Sequence, residues 1–265
     1  MKLMREVRCF PQASNWDAPG LNTWAGSPGR SGLHAFWIVR VVVVGTVSGE
    51  TGYVCNIGEL DRLLRTRIVA RLREWSFESS QDVCSAAYAL AGALETAQLN
   101  ISNPPEILQL EWLLSPYLHL IARKENPKMM LVTLSFEFSA SHRLRNSTWN
   151  EAENSRVFGK CANPNGHGHN YVLDVTVGGT SVDLKGGIFD LDSLQHTVKS
   201  QVIDRFDHKH LNLDCLEFAT LNPTVENIAW VIWGILSPAI QNSRLIAVRV
   251  WETPKTYAEY DGRGY

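Results

Sequence analysis

Between Leu131 and the C-terminus, apolar and polar positions change period in an order that reads strand, loop, strand, helix, loop, helix, strand. Leu131 to Ala140 and Tyr171 to Val177 are rich in the β-branched and aromatic residues of strands. From Asp192 to Phe206, Leu194, Val198 and Val202 recur at helical spacing, and a second helical run begins after Pro223-Thr224, where the threonine hydroxyl can cap. Arg244 to Trp251 alternates two differently filled faces, as a strand does, and Tyr257 to Tyr260 adds a short final strand. The predicted order is ββααββ, an α+β arrangement.

The first half carries the same punctuation. Ala13-Ser14-Asn15 parallels Ala140-Ser141-His142, and Lys124-Glu125-Asn126-Pro127 parallels Trp251-Glu252-Thr253-Pro254 at the same interval along the chain. Leu33-His34-Ala35-Phe36 likewise parallels Gly168-His169-Asn170-Tyr171, and Pro104-Pro105-Glu106 parallels Thr224-Val225-Glu226, with loop insertions shifting the interval. A repeat of this length predicts two units of one plan, 1–128 and 129–265.

Composition narrows the classes of partner. With 45% apolar and 20% charged residues the chain has the makeup of a folded protein, and a net charge of −2 gives no global field for nucleic acid or an anionic membrane. The N-terminal Met1 to Phe10 is charged and has no apolar signal core; the apolar run Ala35 to Gly45 is interrupted by Arg40 and is too short to span a bilayer as a helix. Five scattered cysteines suit reduced thiols better than a disulfide frame. These features predict a cytoplasmic protein that binds neither nucleic acid nor membrane.

The candidate chemistry lies in the second half. His167 and His169 open a strand two residues apart and so share a face, and His142 follows the preceding strand, which an antiparallel hairpin would lay alongside. Three imidazoles leave a tetrahedral ion one open position, the arrangement of catalytic zinc. A His-x-His pair alone is more often a surface or packing feature than a ligand pair. Cys161 sits among Gly159, Asn163, Pro164 and Gly166, which argues for a loop; a nearby zinc ion and Lys160 would favour its thiolate, a base or nucleophile near neutral pH. Asp207 and His208 are adjacent, so they can act together only if the loop bends both side chains inward. Glu252, at the end of an apolar strand, reads either as a solvated strand end or as a carboxylate placed to accept two parallel N–H bonds from a planar ring. His196 and His210 read as surface residues.

Taken in order, Phe138-Ser139-Ala140-Ser141-His142-Arg143-Leu144, Val157 through Cys161, Asn165 through Tyr171, Asp207-His208-Lys209, Thr224-Val225-Glu226-Asn227 and Glu252-Thr253 resemble the 6-pyruvoyltetrahydropterin synthase family. The resemblance implies tunnelling-fold (T-fold) units, each a ββααββ antiparallel sheet covered by two helices, that assemble into a barrel as homo-oligomers with active sites at unit interfaces. It implies zinc on His142, His167 and His169, Cys161 as the base, Asp207 and His208 as a proton relay, and Glu252 with Thr224 holding the pterin. The implied reaction converts 7,8-dihydroneopterin triphosphate to 6-pyruvoyltetrahydropterin and releases triphosphate; Lys160, Arg143 and Lys209 are candidates to meet the phosphates. Five residues separate Cys161 from His167, the spacing of the pyruvoyl-forming members, whereas 6-carboxytetrahydropterin synthases usually show three; Val225 stands where the family often has a second threonine. A 6-carboxytetrahydropterin synthase or related side-chain lyase is the alternative, and a non-catalytic pterin-binding protein the second.

Mapped through the repeat, the first half has Asn15 for His142, Gly32 for His167, Gly26 for Cys161 and Arg73-Glu74 for Asp207-His208, with only His34 and Glu125 retained. One imidazole cannot make a three-histidine site. The first unit is therefore expected to be a degenerate, non-catalytic copy.

Overall fold

The computed structural model describes residues 1–11, 36–76, 83–180, 190–241 and 243–264. The sequence parallels at Ala13-Ser14-Asn15, Gly26, Gly32 and His34 lie outside the described residues. The chain divides into two compact units, 1–132 with 178–189, and 133–177 with 190–265.

In the first unit, β1 (Lys2–Cys9), β2 (Trp37–Val44), β3 (Glu106–Ser115) and β4 (Leu118–Arg123) follow one another as an antiparallel sheet. The run containing Arg40 is β2: Trp37, Val39, Val41 and Val43 point to one face and are buried. Arg40 points to the other face, where its Nε donates to Glu6 at 2.8 Å and its Nη1 to Glu111 at 3.3 Å. Period-two alternation thus places a charge inside an apolar run without burying it unpaired. Helix α1 (Ile57–Leu63) is capped by Asn56, which accepts from the Gly58 N–H at 2.8 Å; it runs through a π-helical segment (Leu64–Val69) into α2 (Ala70–Ser76). This composite helix buries Leu60, Leu64, Ile68 and Leu72, and α3 (Val83–Glu95) buries Ala86, Leu90 and Ala93. The α1 end packs on β1 and the π segment on β2, while α3 packs on β3 and β4.

The second unit orders its strands β5 (Met129–His142), β6 (His167–Thr180), β8 (Arg244–Thr253) and β9 (Thr256–Tyr260), with the two-residue β7 (Lys209–His210) added parallel to β5 at Ala140 and Ser141. Helix α5 (Leu191–Val198) passes through a π-helical segment (Lys199–Ile203) into the single turn α6 (Asp204–Phe206); α7 (Leu211–Asp214) is another single turn. Helix α8 (Val225–Ala239) starts at Thr224, whose hydroxyl accepts from the Asn227 N–H at 3.4 Å, and packs on β8 and β9. Leu194, Val198, Val202 and Phe206 are buried, as their spacing requires.

One helix was not evident from hydrophobic periodicity. Helix α4 (Glu151–Phe158) lies in the connection from His142 to Cys161 and is followed by a 3-10 turn (Gly159–Ala162) that contains the cysteine. Its signal is polar: Asn150 and Glu153 form a capping box. Asn154 is fully buried and ties the connection together, accepting from the Asn146 N–H at 2.7 Å and donating to the carbonyls of Asn146, Trp149 and Asn150 at 3.0 to 3.1 Å.

Two of the sequence parallels do not survive. Glu106 opens strand β3, whereas Glu226 lies in the first turn of α8. Glu125 lies beyond β4, is 76% exposed and stands 3.8 Å from Arg123, whereas Glu252 lies within β8, the third long strand of its unit. Glu125 is a solvated turn residue, not a counterpart of Glu252. Short motif matches misled here because Gly, Pro and Glu recur at element boundaries of either kind.

Replacing Asn154 with Ala removes partners from four backbone groups. Asn154→Ala should lower the unfolding free energy of the second unit by about 2–3 kcal/mol, measured by urea titration followed through near-ultraviolet circular dichroism.

Candidate active site

Alternation along β5 and β6 sends Phe138, Ala140 and His142 to the same face as His167, His169 and Tyr171. The imidazole of His142 is fully buried, with Nδ1 at 2.7 Å from the Pro223 carbonyl, the residue before the α8 cap. That carbonyl can only accept, so Nδ1 carries the proton and Nε2 presents a lone pair. The His142 Nε2 stands 3.1 Å from the His167 Nε2, and the ligand atoms of His142, His167 and His169 all lie within 4.8 Å of one another. The His167 Nδ1 and the His169 Nε2 are buried without a hydrogen bond among the described residues. The inward lone pair of His142 and a buried His169 Nε2 that no hydrogen bond meets are what a cation would satisfy, so the donor set fits a metal ion.

Burial pushes the His142 imidazole down to about 4, with His167, His169 and His210 adding to it against the opposing Pro223 bond, and burial also lowers His167. Both stay neutral at pH 7, the form that ligates.

Glu252 shares the face of the buried Val248 and Val250 on β8 and brings its Oε1 to 3.5 Å from the His142 Nε2 and 3.4 Å from the His169 Nε2. It is therefore part of the cluster rather than a free strand end. Cys161 is brought to the same end of the unit: its carbonyl accepts from the Leu144 N–H at 2.8 Å, two residues beyond His142. Burial first, and the Glu252 charge second, push its thiol up. The expectation that nearby groups favour the thiolate is thus not met by the side chains alone, since Lys160 is exposed and does not offset burial.

The loop at Asp207 and His208 bends so that the two side chains meet, but it leaves His208 exposed instead of turning both inward. His208 adopts a left-handed backbone, φ 57°, which lets its Nδ1 reach the Asp207 Oδ2 at 2.8 Å. The Ser139 N–H donates to the Asp207 Oδ1 at 2.8 Å and, with His208, holds that carboxyl below its ordinary range. His208 is 82% exposed and opens on a cleft of about 640 Å³ lined by Ser139, Ser141, Gly168, Asn170 and Lys209, and also by Ala140, His169 and His210.

Three further residues shape the cluster. Tyr171, fully buried, puts its hydroxyl 3.5 Å from the His142 Nδ1 and stacks on Phe138 at 5.0 Å; its position two residues after His169 was a readable signal. His210 is not a simple surface residue, since its Nδ1 is buried and its Nε2 packs on Gly166. Gly166, at φ 71°, has room for no side chain: a Cβ would lie 2.9 Å from both the His142 carbonyl oxygen and the His210 Nε2. Thr224 is engaged as the α8 cap, His196 is exposed, and Arg143 donates to the Ala162 carbonyl at 2.9 Å and to Glu151 at 2.7 Å.

Comparison with known proteins agrees with this half of the chain. The family described as 6-pyruvoyl tetrahydropterin synthase matches residues 131–263. The human 6-pyruvoyl tetrahydrobiopterin synthase is 39% identical over 131 residues, covering 49% of this chain and 90% of that protein. A putative 6-pyruvoyl tetrahydrobiopterin synthase of Caenorhabditis elegans is 40% identical over 138 residues, covering 51% and 98%. The solved structure of a C. elegans 6-pyruvoyl tetrahydropterin synthase shares 38% identity, covering 51% of this chain and 96% of that one, with a TM-score of 0.48. An α+β unit with three clustered imidazoles beside a cysteine is thus the frame of a pterin-processing lyase, and the chain belongs to the 6-pyruvoyl tetrahydropterin synthase family. Among the described residues no helix is long and apolar enough to cross a membrane.

Two outcomes test this geometry. Gly166→Ala should weaken metal binding by about 10-fold or more without removing a ligand, because the loop must leave His142; metal content after dialysis against graded chelator measures this. The unfolded chain protonates His142 near 6.5 while the folded one resists to about 4. The stability of metal-free protein should therefore fall as pH drops through that interval and show no dependence on this group above it, read from urea midpoints across pH 4 to 8.

Proposed function

We propose that the chain converts 7,8-dihydroneopterin triphosphate to 6-pyruvoyltetrahydropterin with release of triphosphate, with zinc held by His142, His167 and His169. The observation that carries this reading is the convergence of the three imidazoles, with the His142 and His167 Nε2 atoms 3.1 Å apart, at the end of the unit that also bears Cys161 and Glu252. The five-residue interval between Cys161 and His167 favours the pyruvoyl product over the carboxy one.

Zinc on these nitrogens would supply Lewis-acid polarisation of a substrate oxygen and a positive charge favouring the Cys161 thiolate. Glu252 accepts N–H bonds from the aminopyrimidinone ring and fixes its orientation. Cys161 takes the proton from the side-chain carbon, and Asp207 orients His208 to return a proton, so that the redox change stays within the substrate as triphosphate leaves. Thr224 serves the site indirectly, by fixing the start of α8 next to Pro223.

Because the Asp207 carboxyl is held by the Ser139 N–H and His208 is 82% exposed, we assign the pair to the sulfur of a second copy in a cytoplasmic homo-oligomer. We read the first unit, 1–128, as a non-catalytic T-fold partner of the catalytic unit, 129–265, in a barrel. The shared order of strand, strand, helix with a π-helical segment, helix, strand, strand supports this.

Purified protein incubated with 7,8-dihydroneopterin triphosphate should yield 6-pyruvoyltetrahydropterin and triphosphate by mass analysis, and chelator should abolish both. Cys161→Ala should lower kcat by about 100-fold or more; undiminished turnover would remove the cysteine from the mechanism, and a 6-carboxy product would reassign the reaction. Mixing Cys161→Ala with Asp207→Asn protein under subunit exchange should restore part of the activity lost in each. Failure to do so, with exchange demonstrated, would place each relay with its own site.

A further inference from the structure

The first unit buries one edge of a guanidinium that no acceptor meets among the described residues. Arg65, on the π-helical segment between α1 and α2, is 3% exposed, and its Nε and Nη2 are buried without a hydrogen bond. These two donors form one edge of the guanidinium, the fork that grips two oxygens of a single carboxylate or phosphate. Arg5 of the same unit shows that edge in use, holding the two oxygens of Asp61 at 2.5 and 2.8 Å.

Around Arg65 the helix supplies only Leu64, Ile68, Val69 and Leu72 to the core. Among the described residues, the groups at the nearby ends of the strands are donors and cations. Cys9 at the end of β1 is fully buried, and the two charged groups that influence it, Arg65 and Arg73, are both cations. Cys9 pairs with Trp37, Trp37 packs edge-on against Trp112 at 4.7 Å, and Trp112 against Trp75 at 5.3 Å. The indole Nε1 atoms of Trp75 and Trp112 are also buried and unpaired. A guanidinium taken from water is strongly unfavourable unless an anion compensates it.

We propose that the Nε–Nη2 edge of Arg65 binds a small oxyanion, a carboxylate or phosphate group, inside the N-terminal unit. Such a site lies in the unit that lacks the histidine cluster and is independent of the pterin reaction. It gives this half of the chain a ligand of its own and makes the stability of the unit depend on the anion present.

The test uses the full chain in chloride, acetate and phosphate at matched ionic strength, with 5-fluorotryptophan incorporated and the Trp75 and Trp112 signals assigned by single replacement with Phe. At about 20 mM, acetate or phosphate should raise the thermal midpoint by about 3 °C or more over chloride and shift at least one of the two fluorine signals. Response to phosphate alone assigns a phosphate group, and response to acetate alone a carboxylate. Arg65→Met fits the surrounding apolar residues, so it should lose the anion response and melt higher than wild type in chloride. Arg65→Lys keeps the charge without the fork and should weaken the response about 10-fold. Should Arg65→Met fail to fold, the wild-type anion series and the Lys variant decide. An equal response in wild type and variants, or no response of wild type to either oxyanion beyond chloride, overturns the proposal.

Discussion

A buried imidazole must find a partner for the nitrogen that faces away from its site, and in this protein the Pro223 carbonyl is that partner for His142. The bond does three things together. It fixes the tautomer, so that a lone pair meets His167 and His169; it holds the ring against rotation; and it ties the end of β5 to the start of α8 across 81 residues of sequence. Thr224 caps α8 immediately afterwards, so the same few atoms set both the helix start and the direction of the ligand. Gly166, packed under the His142 carbonyl, and Tyr171, beside its Nδ1, close the remaining freedom.

The two units spend the same sequence of elements on different interiors. In the second, the strand ends bring imidazoles, a carboxylate and a thiol to one place. In the first, the corresponding kind of surface is filled by Trp37, Trp75 and Trp112, with Arg65 and Cys9 among apolar side chains. The faces away from the helices differ as well: Glu6, Arg8, Arg40 and Glu111 form an ion-pair ladder in the first unit, while Thr133–Thr176, Ser135–Asp174 and Ser139–Asn170 form neutral or singly charged pairs in the second. Alternation along strands lets both faces change independently while the backbone plan is kept.

Much of the second unit was legible because period alone decides which side chains share a face. His167, His169 and Tyr171 follow from a two-residue repeat, and Leu194, Val198 and Val202 from a helical one. Helix α4 was missed because its information is in polar caps, Asn150 and Glu153, rather than in an apolar stripe. The parallels drawn at Glu106 and Glu125 failed because a short motif records a boundary and not the kind of element it bounds.

What residue order determined by itself was the succession of elements, the grouping of histidines on one strand face and the family to which these motifs belong, since each depends on neighbours within a few positions. Only the tertiary structure decided that Pro223 would hold His142, that His208 would take a left-handed turn, that Glu252 would stand against the imidazoles, and that the Nε and Nη2 of Arg65 would be enclosed without an acceptor. Those outcomes depend on groups brought together from distant segments and on the water they exclude, and no local pattern encodes either.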